Sequence, residues 1–241
     1  MQSDWFKDWF SSEEYNQVYF HRDDNDAKKL IDLILSKVSI SKDHTILDAA
    51  CGSGRHMNYL SSLGYYVVGF DLSKPFLLEA KKNNPSGNFL RSDLREVTFK
   101  EQFDLVLNLF TSFGYFSSDE ENFRFPKNAF GFLRKGGYYV LDYLNQDYLT
   151  GKIIPYSVKE FDGLKIEESR SIEEGRVVKR ISITKEGRIK EFVESVKLYP
   201  KDFILEQFQG FGYSVNGLFG GYDGSAFDAE TSTRLIMIFK K

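Results

Sequence analysis

Apolar positions along the chain follow three rhythms in turn. Trp5, Phe6, Trp9 and Phe10 fall at i, i+1, i+4 and i+5, one face of a short helix. Such a helix either packs on the body or lies as a lid over a ligand. In DDNDAKKLIDLILSKV, residues Ala27, Leu30, Ile31, Ile34, Leu35 and Val38 share one helical face. Acids at the start of this amphipathic helix and Lys37 near its end suit the helix dipole.

From Thr45 strands and helices alternate. TILDA reads as a buried strand, CGSG as a turn and RHMNYLSSLG as a helix ending on Gly64. YYVVGFD is a second strand. SKPFLLEAKK is a second helix, with Pro75 in its first turn, where a missing N–H costs little. NFLRSD is a short third strand. FDLVLNLF is apolar on both faces, as a central parallel strand should be. A helix then runs from after Ser118 to about Leu133, KGG stops it, and YYVLDYL is the fifth strand. Alternation of this kind implies right-handed crossovers and a doubly wound, mostly parallel α/β sheet.

Residues 151–199 break the rhythm. Asp162-Gly163, Glu174-Gly175 and Glu186-Gly187 are turn signals about twelve residues apart, with Val, Ile and Phe mixed among charges between them. That spacing predicts antiparallel hairpins. The alternating pattern then resumes, with a helix in PKDFILEQFQGFG and strands in YSVNGLFG and TRLIMIFKK. The expected organisation is an α/β domain from 1–150 and 200–241, capped by helical residues 1–40. Residues 151–199 are expected to form a β insertion over an acceptor pocket or on a dimer face. Excising 157–199 is then expected to spare cofactor binding.

Composition narrows the classes. The 241 residues carry 32 basic and 35 acidic side chains, a formal charge of −3, so tight nonspecific nucleic-acid binding is not expected. The insertion is no basic platform either, with 11 basic and 9 acidic residues from Gly151 to Pro200. A single cysteine, Cys51, cannot form an intrachain disulfide, which points to a reducing, cytoplasmic setting. It reads as a small packing residue. No apolar run reaches membrane-spanning length, the N-terminus does not read as a signal peptide, and the scattered histidines and cysteine give no metal-ligand spacing.

The candidate chemistry lies in ILDAACGSGRH followed by VVGFDLS. A strand ends at Asp48, a Gly-x-Gly turn follows at Gly52 and Gly54, and Asp71 sits at the tip of the next strand. Glycines let backbone approach a ligand closely, and an acid at that tip can accept two hydrogen bonds from a ribose diol. A dinucleotide site expects a third glycine where this chain has Met57, and it would not favour Asp48 beside a pyrophosphate. A cationic sulfonium cofactor carrying an ammonium group tolerates Asp48. These points favour S-adenosylmethionine over a nicotinamide cofactor.

ILDAACGSGRH resembles the first motif of class I S-adenosylmethionine-dependent methyltransferases, a Rossmann-like family. VVGFDLS resembles their second motif, RSDLRE the third and FDLVLNLFTSFGYF the fourth. FLRKGGYYVLDYLN is similar to the L-x-P-G-G segment, with Arg134-Lys135 in place of x-Pro. The likeness spans residues 45–145. The insertion before the tail resembles that of small-molecule N-methyltransferases such as the aminosugar N,N-dimethyltransferases. The resemblance implies a seven-stranded sheet and S-adenosylmethionine as cofactor. It implies that Ala50, Gly52 and Gly54 line the methionine and ribose portion, and that Asp48 orients the amino group. It places Asp71 on the ribose hydroxyls, Leu72 and Leu94 beside adenine, Asp93 on the adenine amine, and the Asn108 carbonyl on the ammonium. Arg22 is a candidate for the cofactor carboxylate and His56 for a further cofactor contact.

Acceptor-side candidates are Tyr115, Asp142 and Asn145, with Tyr143 beside them, at the C-terminal ends of the fourth and fifth strands, where an open α/β sheet has its crevice. Tyr19 and His21 would close from above, and Phe113, Tyr115 and Phe116 would wall the transferred methyl from water. NLFTSF in place of N-P-P-Y, and the lack of a Pro-Cys pair, disfavour base methylation. The expected function is methyl transfer to N or O of a small molecule, by a monomer or homodimer without nucleic-acid or membrane partners. The alternative is a nonenzymatic S-adenosylmethionine-binding module.

Overall fold

The computed structural model describes residues 4–19, 24–100 and 102–241. The aromatic N-terminus forms two short helices, α1 (Trp5–Trp9) and α2 (Glu13–Val18), and the amphipathic segment is α3 (Asp24–Lys37). Ala27, Leu30, Ile31, Ile34 and Val38 are buried as the spacing predicts, but Leu33 is buried more fully than Leu35.

The alternating region gives β1 (Thr45–Ala49), α4 (Arg55–Ser62), β2 (Tyr66–Asp71), α5 (Lys74–Asn83), β3 (Asn88–Arg91), β4 (Phe103–Asn108), α6 (Asp119–Phe132) and β5 (Leu133–Leu144). After the short α7 (Gln146–Lys152) come β6 (Tyr156–Phe161), β7 (Leu164–Glu173), β8 (Arg176–Lys185) and β9 (Arg188–Lys197). The tail is α8 (Lys201–Gly210), β10 (Ser214–Phe219) and β11 (Arg234–Lys240).

Seven strands form one sheet in the order β10-β11-β5-β4-β1-β2-β3. All neighbours are parallel except β11, which runs antiparallel to both β10 and β5. Strand β5 starts at Leu133, five residues before the predicted YYVLDYL, because Leu133 is extended and pairs with Phe103. A register shift follows before Leu105 meets Tyr138. Every residue of β4 is buried. Alternate side chains on the central strands feed opposite faces. Leu105, Leu107, Val140 and Ile238 pack beneath α3 and α4, while Val106, Leu141, Met237 and Phe239 pack beneath α6 and α8.

The insertion is a separate four-stranded antiparallel sheet, β6-β7-β8-β9. At each predicted turn both central residues have positive φ: Asp162 and Gly163, Glu174 and Gly175, Glu186 and Gly187. These are two-residue hairpin connections whose twist matches the flanking strands. Leu164, Ile166, Ile181 and Ile183 are buried against Trp5, Phe6 and Trp9. Among the described residues no helix is long and apolar enough to cross a membrane.

Candidate active site

A cleft of about 1150 Å³ opens over the C-terminal ends of β1, β2 and β4. Its floor is the turn between β1 and α4. Ala50 and Gly52 take left-handed backbone there, with φ of 56° and 54°. The turn is tied down by the Cys51 amide donating to the Phe70 carbonyl at 2.9 Å and by the Gly52 amide donating to Asp71 Oδ2 at 2.9 Å. A Cβ on Gly52 would meet nothing closer than Phe76 at 4.0 Å, so the space above it is open to a ligand. Cys51 is buried beside it, and burial pushes its thiol well above the usual range, so it serves as packing.

Asp48 lines the cleft and is only 1% exposed, yet neither carboxylate oxygen has a hydrogen-bond partner. The Met57 amide eases its charge without closing a bond. Burial, reinforced by the charge of Asp71, pushes its pKa up to about 7. A buried acceptor left without a donor is costly, and a ligand that brings a cationic N–H donor removes that cost. Asp71 also lines the cleft, and its Oδ1 accepts from the Ser73 amide at 2.7 Å. Each oxygen therefore has one backbone donor and retains acceptor capacity for a diol. Burial raises its pKa as well. Leu72, Asp93 and Leu94 lie along the same wall. Arg95 grips Asp93 bidentately, Nε to Oδ1 at 3.1 Å and Nη2 to Oδ2 at 2.7 Å. Burial pulls the Asp93 carboxyl upward, but Arg95 outweighs it and holds the group below its usual range. His56 lines the cleft from α4 as a neutral imidazole, its pKa pushed down to about 3 by burial and then by Arg55.

Several predicted residues do other work. Gly54 caps α4 outside the cleft, where a Cβ would sit 3.2 Å from the Cβ of Ala80, so its need is for helix packing. Asn108 is 1% exposed at the end of β4 and does not line the cleft; Leu109 and Phe110 do. Asp142 is fully buried behind the wall, not an acceptor-side acid or base. It takes the Phe110 amide at 3.0 Å, the Tyr222 hydroxyl at 3.1 Å and Arg234 Nε at 2.8 Å. Those bonds hold Phe110 and Thr111 in left-handed backbone, with φ of 53° and 65°, strained for residues other than glycine. Asn145 likewise lies outside the cleft. It caps α7 and donates to the carbonyls of Ala229 and Ser232. Phe113 packs in the core on Phe123, Tyr143 and Tyr199. Tyr143 is fully buried too, donating its hydroxyl to the Lys197 carbonyl. Tyr115 and Phe116 do line the cleft. Arg22 and His21 lie outside the described residues.

The N-terminal segment is both packing and cover. Trp5, Phe6 and Phe10 surround Tyr115 at ring distances of 5.2, 6.2 and 5.7 Å, and all line the cleft. On the far side Trp9 stacks on Phe192 and donates to Glu194 Oε1 at 2.6 Å, an oxygen that Tyr19 also reaches. Arg170, Val177, Lys179, Glu194 and Val196 bring the insertion sheet to the same cleft. Arg95 was legible beside Asp93 in RSDLRE, whereas nothing local marked Glu194, Tyr222 or Arg234.

The residues present fit S-adenosylmethionine: an open glycine turn, an orphaned buried acid for an ammonium, and a second acid for a diol. Similarity to known proteins agrees. A family model described as a methyltransferase domain matches residues 46–137, the strands and turns that build the cleft. A dTDP-3-amino-3,4,6-trideoxy-alpha-D-glucopyranose N,N-dimethyltransferase of Streptomyces venezuelae is 24% identical over 207 residues, covering 83% of this chain and 86% of that protein. An S-adenosylmethionine-dependent methyltransferase from Clostridium acetobutylicum superposes with a TM-score of 0.80 at 18% identity, over 94% of this chain and 95% of that one. The CcbJ methyltransferase of Streptomyces caelestis gives 0.81 at 15% identity, over 95% and 96%. Sheet order, cleft chemistry and a domain match laid over that cleft lead to one assignment: residues 46–137 form a methyltransferase domain, in a chain with the fold of the S-adenosylmethionine-dependent methyltransferases.

Proposed function

We propose that this methyltransferase acts on the nitrogen of a small amine-bearing molecule of the amino-sugar class, and that the insertion forms the acceptor side of the cleft. The observation carrying the reading is the enclosure of the cleft. The N-terminal aromatics and the insertion sheet meet over it, joined through Glu194. A chamber walled in this way suits a small molecule better than a nucleic acid, as does the net charge of −3. The Streptomyces venezuelae relative is named for an amino-sugar substrate methylated on nitrogen, which supports the same class.

When bound, S-adenosylmethionine supplies an electrophilic methyl on a sulfonium, open to in-line displacement. The chain's own work is to align and to dry the site. Asp48 would hold the cofactor's ammonium and Asp71 its ribose diol on the floor of the cleft. Leu144, Leu149, Val177 and Val196 give the acceptor side an apolar lining, and Lys179 and Glu194 supply its polar contacts. Tyr115 sits between the two regions. We assign its hydroxyl the role of orienting the acceptor, so Tyr115→Phe should lower kcat while leaving cofactor affinity and folding stability near wild type. The class is tested by incubating the protein with S-adenosylmethionine and a panel of nucleotide-linked amino sugars and simple amines, each beside its hydroxyl counterpart. S-adenosylhomocysteine formed only with amines is expected; turnover confined to the hydroxyl compounds would sink the nitrogen assignment.

A further inference from the structure

Arg176 opens β8, directly after the Glu174-Gly175 turn. Its guanidinium does not pair with a carboxylate among the described residues. It donates instead to three successive carbonyls of the segment after β4: Nη1 to Phe116 at 3.2 Å, and Nη2 to Gly114 and Tyr115, each at 3.1 Å. Its other bonds stay within the insertion, Nε to Ser195 Oγ at 2.7 Å and Nη2, shared among three carbonyls, to that of Ser195 at 2.9 Å. One planar fork thus ties two strands of the insertion to residues 114–116.

The same contact is closed from the other strand. The Lys197 amide donates to the Gly114 carbonyl at 2.7 Å, and the Tyr143 hydroxyl donates to the Lys197 carbonyl. Gly114 has φ of 90°, and a Cβ there would lie 3.0 Å from the Lys197 carbonyl and 3.1 Å from both Tyr143 and Val196. Glycine at this position is a requirement of the insertion's approach as much as of the turn. Between the clamped carbonyls sits Tyr115, whose ring lines the cleft, and Val177 and Val196, next in sequence to Arg176 and Ser195, line it from the insertion side.

We propose that Arg176 is a positioning residue for methyl transfer: it locks residues 114–116 to the insertion and so fixes the position of Tyr115 in the acceptor chamber. The proposal rests on the acceptor-side reading of the insertion. Arg176 touches none of the cofactor-side residues Asp48, Asp71 or Asp93, so cofactor affinity separates its loss from damage to the cofactor floor.

The test uses the full chain with Arg176→Lys, which keeps the charge and loses the fork, and Arg176→Met. Gly114→Ala attacks the same clamp from the loop. S-adenosylhomocysteine binding is measured by calorimetry, and amide hydrogen exchange is followed in peptides covering 109–117 and, as a control, 45–52. Exchange in 109–117 should accelerate at least tenfold in all three variants, with the control peptide unchanged and S-adenosylhomocysteine affinity within about twofold of wild type. With whichever amine of the panel is methylated, kcat/KM should fall at least tenfold, and adding Tyr115→Phe to Arg176→Met should cost nothing further. Unchanged exchange in 109–117, a large loss of S-adenosylhomocysteine affinity, or a full Tyr115→Phe penalty in the double variant would each overturn the proposal. If the wild type methylates no amine, the substrate reading fails, while exchange and cofactor binding still decide whether Arg176 makes the clamp.

Discussion

Asp48 is a buried acid without a hydrogen-bond partner, and its pH behaviour follows from that. Its pKa lies near 3.8 in the unfolded chain and about 7 in the folded one. Between those values the folded protein keeps a proton that the unfolded chain has released. Its contribution to the stability of the ligand-free protein therefore falls as pH rises from about 4 to about 7 and then levels off, against an opposite contribution from His56, whose lowered pKa of about 3 leaves the extra proton on the unfolded chain up to about 6.5. Affinity for a cationic ammonium moves the other way, rising over the same window as the carboxylate ionises. Asp48→Asn should remove this contribution and the rise in affinity, leave stability rising with pH below about 6.5 as His56 dictates, raise the melting temperature above neutral pH and weaken S-adenosylhomocysteine binding. Melting curves and calorimetry across the window check these outcomes, and a pH profile unchanged from wild type would assign the effect to another group. Asp71 has a different balance, since each oxygen already accepts a backbone amide. Asp71→Ala should cost about 2–3 kcal/mol of cofactor binding, the range for charge-assisted hydrogen bonds. Unchanged affinity in a folded variant would remove it from the site.

At the scale of elements, the segment after β4 is held from two directions. The insertion clamps 114–116, and Asp142 with Arg234 holds 110–111. Arg234 pairs with the fully buried Asp142 and also donates to Thr111 Oγ1 at 3.0 Å. Asp142→Ala deprives Arg234 of that partner and frees the Phe110 amide, so a stability loss of about 3 kcal/mol is expected. Because Asp142 acts through the backbone it holds, the variant should show slower turnover without any change in the pH dependence of kcat. A shifted pH profile would restore it as an acid or base. The hairpins offer a stabilising counterpart. Glu186 is exposed and sits at φ 49°, a conformation that asparagine tolerates better than glutamate. Glu186→Asn should add about 0.5 kcal/mol, read as a higher denaturant midpoint with an unchanged slope.

For the whole molecule, the N-terminal segment, the insertion and the sheet depend on one another. The Ser73 hydroxyl donates to the Phe10 carbonyl at 2.8 Å on the cofactor side, and Glu194 receives Trp9 and Tyr19 on the insertion side. Excising 157–199 would therefore bare Trp5, Phe6 and Trp9 as well as removing one wall of the cleft, and a point variant is the cleaner probe. Glu194→Ala should cost about 1–3 kcal/mol and red-shift tryptophan emission as Trp9 loses its partner. Glu194→Gln keeps an acceptor for Trp9 and Tyr19 and should be milder on both counts. Equal effects from the two variants would mean that charge, not the hydrogen bonds, holds the segment down.

The periodicity of apolar residues determined the order and type of nearly every element, because burying one face of a strand or helix leaves its mark in local spacing. The glycine turn and the acids at strand tips were legible for a related reason: ILDAACGSG and VVGFD place chemistry at fixed offsets from strands that are themselves visible. Asp142 and Asn145 share that strand-end position, yet they serve the fold. Whether a carboxylate or amide at a strand tip faces a ligand or a neighbouring loop depends on partners such as Arg234 and Ser232, about ninety residues away in sequence. Arg176 and Glu194 were invisible for the same reason. Each sits in a charged β hairpin with nothing local to distinguish it, and each acquires a role only when the insertion folds over loop 111–116 and the N-terminal aromatics. Local spacing decided where the floor of the cleft lies; contacts across the fold decided what encloses it.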